Sequence, residues 1–189
     1  MSIMKYATAT VLFSVPTFAQ MNGTFLITST NTVSPSSPTT TIEMWANWSR
    51  PGFFFGAGDY DLTANEGLFS DPKAVLPHFL NTPGIIGPGN VVTGAALGQA
   101  VLPGFLGILD NPILIATYTW STTDFSPRQV NLRTSETSLF VVVDTATLAL
   151  VDLFPSEFTP GSGLITVVPA PAAWLALAIP LVATRRRRS

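Results

Sequence analysis

Short stretches of this chain alternate apolar and polar residues with a period of two, the pattern of strands that turn one face to a core and the other to water. In Ile42-Glu43-Met44-Trp45-Ala46-Asn47-Trp48, the residues Ile42, Met44, Ala46 and Trp48 fall on one face and Trp45 on the other. In Ile113 to Trp120, one face carries Ile113, Ile115, Thr117 and Thr119, and the bulkier face carries Leu114, Ala116, Tyr118 and Trp120, which is therefore predicted to be the core side. Leu139-Phe140-Val141-Val142-Val143 does not alternate and predicts a strand covered on both sides. Together these patterns predict seven strands: Gly23 to Ser29, Thr40 to Trp48, Phe53 to Leu62, Ile113 to Ser121, Gln129 to Thr134, Thr137 to Val143 and Thr147 to Leu153. The Ser/Thr/Pro-rich loop from Asn31 to Thr39 predicts that Gly23 to Ser29 crosses to a partner strand rather than closing a tight hairpin. Glycines and prolines break Asn65 to Pro112 into short pieces and make it a long excursion. Within it, Asp71 as N-cap and Pro72 in the first turn predict one short helix over Asp71 to Leu76.

Val, Ile, Thr and Phe are prominent, and no charged amphipathic run of helical length occurs, so the expected fold class is all-β, a single β-sandwich. The body, residues 20–166, is long enough for one domain with a real core. The formal net charge of −2 hides an asymmetry. The body holds all 11 acidic residues but only four basic ones, Arg50, Lys73, Arg128 and Arg133, a net charge of about −7. Such a body repels nucleic acid and anionic lipid. With no cysteine, stability comes from packing, and thiol catalysis and thiolate metal sites are excluded.

Candidate chemistry is sparse. His78 is the one histidine and sits among apolar neighbours, so Ser-His-Asp and most zinc sites lack parts. Asp59 and Asp61, two residues apart, share a strand face; with Glu66 and Asp71 they are the group to weigh for a carboxylate pair of the glycosidase kind or for a calcium ion, against simple solvation of the next loop. Trp45, Tyr60 and Trp120 would bind sugars if exposed, or pack between sheets if not. No residue is assigned as catalytic or metal-binding, and no cofactor is expected.

The termini carry more information. Lys5 precedes the apolar stretch Tyr6 to Val15 and Pro16-Thr17-Phe18-Ala19, which reads as a secretory signal peptide over residues 1–19 cleaved after Ala19. At the other end, residues 167–189 hold a Pro-x-Pro breaker, an uncharged stretch from Ala172 to Thr184 that would rise roughly 20 Å as a helix, and four arginines. Trp174 suits a headgroup anchor, Pro180 interrupts the helix, and the arginines favour the cytoplasmic side, leaving the body outside. These three parts resemble the PEP-CTERM sorting signal of exported bacterial proteins: the box Val168-Pro169-Ala170-Pro171, a short transmembrane helix, and the cluster Arg185, Arg186, Arg187 and Arg188. Ala170 stands where the commonest form of the box has Glu, which is similar to the Val-Pro-x-Pro-Ala variant. The resemblance implies transient membrane anchoring, secretion machinery and an exosortase-type membrane protease as partners, and cleavage near the box.

The order of the body, a Trp-bearing strand, Phe53-Phe54-Phe55-Gly56-Ala57-Gly58-Asp59-Tyr60-Asp61-Leu62, a glycine-rich insert and closing Val-rich strands, is similar in rhythm to cohesin-like and carbohydrate-binding jelly-roll sandwiches. The expected molecule is thus a jelly-roll or cohesin-like sandwich with an apolar helix at each terminus. Its expected role is that of a non-enzymatic surface or matrix protein, with extracellular polysaccharide or other matrix proteins as its partners. A sugar-binding module and a small glycan-active enzyme are the alternatives.

Overall fold

The computed structural model describes residues 20–29, 32–77, 80–99, 107–135 and 138–170. The predicted terminal helices, Ala19, His78, Pro171 and Arg185 to Arg188 lie outside them. The described residues form 13 strands: β1 (Gly23–Ser29), β2 (Thr32–Val33), β3 (Thr39–Trp48), β4 (Phe53–Ala64), β5 (Leu68–Ala74), β6 (Ile85–Gly87), β7 (Val91–Gly98), β8 (Ile113–Ser121), β9 (Arg128–Thr134), β10 (Phe140–Asp144), β11 (Leu150–Asp152), β12 (Phe158–Thr159) and β13 (Ser162–Val167). Among the described residues there is no helix, and so none long and apolar enough to cross a membrane.

Two sheets face each other. One has five strands in the order β12-β1-β3-β8-β5; the other has eight, β11-β10-β4-β9-β13-β2, with β7 paired to β4 and β6 to β7. β4 organises the second sheet. Gly58 pairs with Phe140 of β10 and with Leu97 of β7, and Leu62 pairs with Thr134 of β9 and Val92 of β7, so β9 and β10 share one edge of β4 and β7 takes the other. β1 and β3 are antiparallel neighbours, but no tight hairpin joins them: between them β2 crosses to the other sheet beside β13.

The core lies between the sheets, where Phe25, Ile42, Met44, Tyr60, Leu62, Tyr118, Trp120, Leu132, Phe140 and Ile165 are essentially inaccessible. Phe25 is its hub, with ring centroids 4.9 Å from Tyr60 and 5.2 Å from Phe140, edge-on or tilted geometries each worth about 0.5–1.5 kcal/mol beyond area burial.

Three irregularities in the strands have one cause, an extra residue, and two of them depart from the predicted pattern. In β8, Met44 pairs with Ala116 but Trp45 pairs with Leu114, so Ile115 is the bulged residue. Alternation inverts there: Ile113 and Ile115 join Ala116, Tyr118 and Trp120 inside, and Leu114 turns outward, against the face predicted for it. In β4, Gly56 is passed over between Phe55 and Ala57, so Phe55 joins the core while Phe54, equally buried, packs on the outer side of the sheet, where Val143 is its register partner. β10 is accordingly buried on both faces at its C-terminal end. Between Ser70 and Lys73 two residues of β5 oppose one of β8, and the pair that fits there is Asp71-Pro72. Asp71 adopts φ 47°, and Pro72 sits where the ladder needs no N–H. The helix predicted over Asp71 to Leu76 is therefore a bulged edge strand.

The long excursion holds β5, β6 and β7, tied down by side-chain amides that imitate strand pairing. Asn81 donates to the Leu76 and Gly98 carbonyls at 2.9 and 3.0 Å and accepts from the Gly98 N–H at 2.8 Å. Asn111 donates to the Trp48 carbonyl at 2.6 Å and accepts from the Trp48 N–H at 3.3 Å. The seven strands expected from sequence include one over Thr147 to Leu153 and omit β2, β5, β6, β7, β12 and β13; the structure has Asp144 to Ala149 as a turn before β11, and β13 as the partner of β9.

Candidate functional site

Among the described residues nothing covers the outer face of the five-stranded sheet, and its centre is apolar. β3 alternates strictly, so Thr39, Thr41, Glu43, Trp45 and Asn47 point away from the core. Register sets Leu26 of β1 beside Trp45, and the β8 bulge sets Leu114 on its other side, giving a cross-strand row Leu26–Trp45–Leu114. Leu26 is 37% exposed, and Trp45 and Leu114 are half-buried. The next row is polar: Thr28, Glu43, Thr117 and Lys73 lie across four strands, followed by Thr41, Thr119 and Ser70.

Trp45 is held by hydrogen bonds within this face. Its Nε1–H donates to Thr28 Oγ1 at 3.1 Å, and the Thr28 hydroxyl donates to Glu43 Oε2 at 3.1 Å. With its single donor engaged, the indole offers a partner its π face and edge, flanked by aliphatic side chains and rimmed by hydroxyl, amide and carboxylate groups. Such a surface suits a ligand that is itself apolar on one face and hydroxylated at its edge.

The other aromatic candidates are in the core. Trp120 is inaccessible and donates from Nε1 to the Glu66 carbonyl at 2.9 Å. Tyr60 and Tyr118 share a hydrogen bond of 2.9 Å between hydroxyls, and Tyr118 donates to the Pro83 carbonyl at 2.7 Å. Burial pushes Tyr118 up to about 12 and Tyr60 well above the ordinary tyrosine value. These two tyrosines anchor the excursion rather than meet a ligand.

Asp59 and Asp61 do lie on one face of β4, and each binds backbone. Asp59 Oδ1 accepts the N–H groups of Ser138 and Leu139 at 2.9 and 2.8 Å, and its other oxygen accepts the Ser138 hydroxyl. Asp61 Oδ1 accepts the Gly94 N–H at 2.7 Å. The pair thereby closes the break between β9 and β10 and the irregularity in β7. Glu66 is elsewhere, its Oε1 2.5 Å from Nε of Arg128, whose guanidinium also holds the Asp124 and Ser126 carbonyls. Asp71 lies in the β5 bulge. The four carboxylates are thus not assembled into one site, and among the described residues no group of three or more His, Cys, Asp or Glu is placed to hold a metal ion. Val168, Pro169 and Ala170 of the predicted sorting box are half-buried, and the Val168 N–H still bonds to the Val33 carbonyl at 2.8 Å.

The row around Trp45 was half visible in sequence. Trp45 stood out as the residue opposed to the core face of its strand, but Leu114 was assigned inward because a bulge leaves no mark in an apolar run, and Leu26 and Thr28 needed the β1–β3 register.

A five-stranded sheet packed on a larger one, with the N-terminal strand laid beside β3 and the C-terminal strand beside β9, is a β-sandwich of the cohesin type. The chain is similar to the seventh ScaB type I cohesin of Pseudobacteroides cellulosolvens, with a TM-score of 0.56 and 17% identity over 79% of this chain and 93% of that one. It is also similar to the cohesin module of a family 33 glycoside hydrolase from Clostridium perfringens, with a TM-score of 0.50 and 11% identity over 79% of this chain and 99% of that one. The third cohesin of ScaC from Acetivibrio cellulolyticus, solved in complex with the ScaB dockerin, gives a TM-score of 0.50 and 10% identity over 78% and 99%. At these identities the likeness is one of fold. No family model and no curated protein matches the sequence.

Proposed function

We propose that this chain is an exported, non-enzymatic surface or matrix protein: a signal peptide over residues 1–19, a binding sandwich, and a C-terminal signal that passes it to an exosortase-type protease. The observation that carries the binding role is the open face around Trp45, an aromatic fixed by hydrogen bonds on a sheet that none of the described residues covers. The cohesin-like fold supports such a role, and the engagement of Asp59 and Asp61 with backbone donors argues for binding rather than catalysis. Export rests on the sequence of the two termini, with Ala19 as the cleavage point, Val168 to Pro171 as the sorting box and Arg185 to Arg188 as its basic end. The sandwich and this tail abut directly. Because β13 runs to Val167 and Val168 is still hydrogen-bonded, processing outside the membrane would fall at or beyond Pro169.

A second reading, an extracellular carbohydrate-binding module, is favoured by the chemistry of that face. An indole with its donor engaged stacks on the apolar face of a pyranose ring, while Asn47, Thr117 and Glu43 meet ring hydroxyls. A test is co-sedimentation of the protein with the extracellular polysaccharide of its host and, in parallel, capture of matrix proteins, each with Trp45→Ala alongside. The proposal expects Trp45→Ala to weaken whichever ligand is bound by about tenfold or more, since a central aromatic commonly carries at least 1.4 kcal/mol. Ligand retained at wild-type strength by Trp45→Ala would remove this face from the account.

A further inference from the structure

The sandwich holds its chain up to Val168: β13 ends at Val167, opposite Arg128 and beside Val33, and the Val168 N–H bonds to the Val33 carbonyl at 2.8 Å. Only Pro169, Ala170 and Pro171 separate this point from the uncharged stretch Ala172 to Thr184. Three residues span at most about 10 Å. As a helix the uncharged stretch would rise roughly 20 Å, against a hydrocarbon layer of about 30 Å with roughly 5–8 Å of headgroups on each side. A tail that crosses such a layer has no slack, and it draws its linker into the headgroups.

The fold decides which end of the sandwich this brings to the lipid. Arg128, opposite Val167, bonds to Glu66 of the β4–β5 turn and to Thr122 of the loop after β8, and the Thr122 N–H bonds to the Pro38 carbonyl of the loop before β3. These loops form the tail-side end. At the other end the Thr145 N–H meets the Gly52 carbonyl, Asn111 meets Trp48, and the Gly23 N–H meets the Glu157 carbonyl. β3, with 10 residues, runs from one end to the other, about 33 Å.

The two ends differ in charge. On the tail-side loops the charged residues are Glu66, Asp124 and Arg128, and the guanidinium stands 2.5 Å from the first carboxylate and 3.6 Å from the second. Asp71 and Lys73 follow further along β5 with opposite signs. Hydroxyls and prolines fill much of the remaining surface: Ser36, Ser37, Thr123 and Ser126 are exposed, and so is Leu68, at 65%. The far end carries Asp110, Asp144 and Glu157 against Arg50. Salt screens exposed charges beyond about 8 Å at physiological ionic strength, so a bilayer at the tail-side end meets a compensated cluster and little of the body's net charge.

We infer that the tail-side end is a docking face for a lipid surface. Until the tail is cut, the sandwich stands upright, with the loops 34–38, 66–68 and 122–128 on the headgroups and the Asp144 turn pointing away. The inference rests on the reading of Ala172 to Thr184 as a membrane segment. In this pose Leu68 enters the interface, the hydroxyls meet headgroup oxygens, and the face around Trp45 looks sideways, open to a ligand.

The chain has no cysteine, so Ser36→Cys and Thr123→Cys each place one thiol at the tail-side end, and Ala146→Cys places one at the far end. Each variant is produced in a host that exports it but has no exosortase-type protease, and intact mass establishes that it runs from Gln20 to Ser189. It is then labelled with a fluorophore and reconstituted in phosphatidylcholine vesicles whose headgroups carry a nitroxide quencher. Thermal midpoints within a few degrees of the unsubstituted chain establish that the variants fold. The expected result is loss of most of the fluorescence at Ser36→Cys and Thr123→Cys while that at Ala146→Cys is kept. A chain that floats with the vesicles but is quenched equally at the three positions, or at none, overturns the upright pose and leaves the tail a membrane segment. Quenching confined to Ala146→Cys overturns it in favour of contact through the opposite end. A chain that does not float with the vesicles overturns the membrane reading of the tail, and this inference with it.

Discussion

Gly67 sits at φ 83° directly under the indole of Trp120, where a Cβ would overlap the ring. Only a residue without a side chain lets the β4–β5 turn close over that tryptophan and accept its Nε1–H on the neighbouring Glu66 carbonyl. Gly67→Ala is therefore expected to destabilise the fold by about 3 kcal/mol, from overpacking together with the left-handed backbone, as read from a urea midpoint at unchanged slope. The Tyr60–Tyr118 pair makes a second prediction, with a sign. Both folded-state values lie above the ordinary 10.0, so the folded chain holds these protons more tightly than the unfolded chain. Their contribution is present in full below pH 10.0 and is lost as pH rises toward and through about 12. Denaturation midpoints should fall across that window, and Tyr118→Phe, which leaves the Tyr60 hydroxyl buried without its partner, should cost about 1–3 kcal/mol at neutral pH. At acid pH the direction reverses for Asp144. The backbone N–H groups of Thr147 and Ala146 hold its carboxyl below 3.8, so its cap on that turn persists above 3.8 and is lost as pH falls further.

At the scale of the element, alternation identified the core face of β3, because burial on one side writes itself directly into polarity. It failed where a strand takes an extra residue. Ile115, Gly56 and Asp71-Pro72 each shift the register by one position, and the side chains beyond exchange faces. Nothing local distinguishes Leu114-Ile115-Ala116 as bulged, since all three are apolar and any two suit a core. Asp71-Pro72 begins a helix as readily as it fills a bulge, and pairing with β8 decided between them. Long-range side-chain bonds were equally invisible. Asn111 joins the excursion to the end of β3 by a two-way amide bond, so Asn111→Ala is expected to cost about 1–2 kcal/mol and to raise hydrogen exchange at the Trp48 amide selectively. Asp59 reads in sequence as half of an acidic pair, yet its partners are the amides of Ser138 and Leu139, nearly 80 positions further along the chain. Asp59→Ala should accordingly loosen exchange at those two amides while leaving that of β3 unchanged.

For the whole molecule, composition pointed to an all-β fold and the expected strands to a sandwich, and of the cohesin-like and carbohydrate-binding jelly-roll rhythms it resembled, the two-sheet topology and its structural neighbours bear out the cohesin-like one at the level of fold. The candidate face around Trp45 was not legible as a whole, because it is assembled from β1, β3, β5 and β8 and no one segment carries it. Function at this scale turns on the relation between an acidic sandwich and its basic tail. On the proposed reading the acidic body repels anionic surfaces, the arginines of the tail favour the cytoplasmic face, and residues 169–171 join the two parts. The proposed role in a surface or matrix depends on delivery outside the cell followed by release from the tail. The most direct test is the intact mass of the protein purified from its native host after separation of membrane, surface and medium. Material outside the cell that begins after Ala19 and ends between Pro169 and Pro171 is the predicted result. A chain that stays in the membrane fraction with Arg185 to Arg188 still attached would contradict it, and would make the tail a permanent anchor.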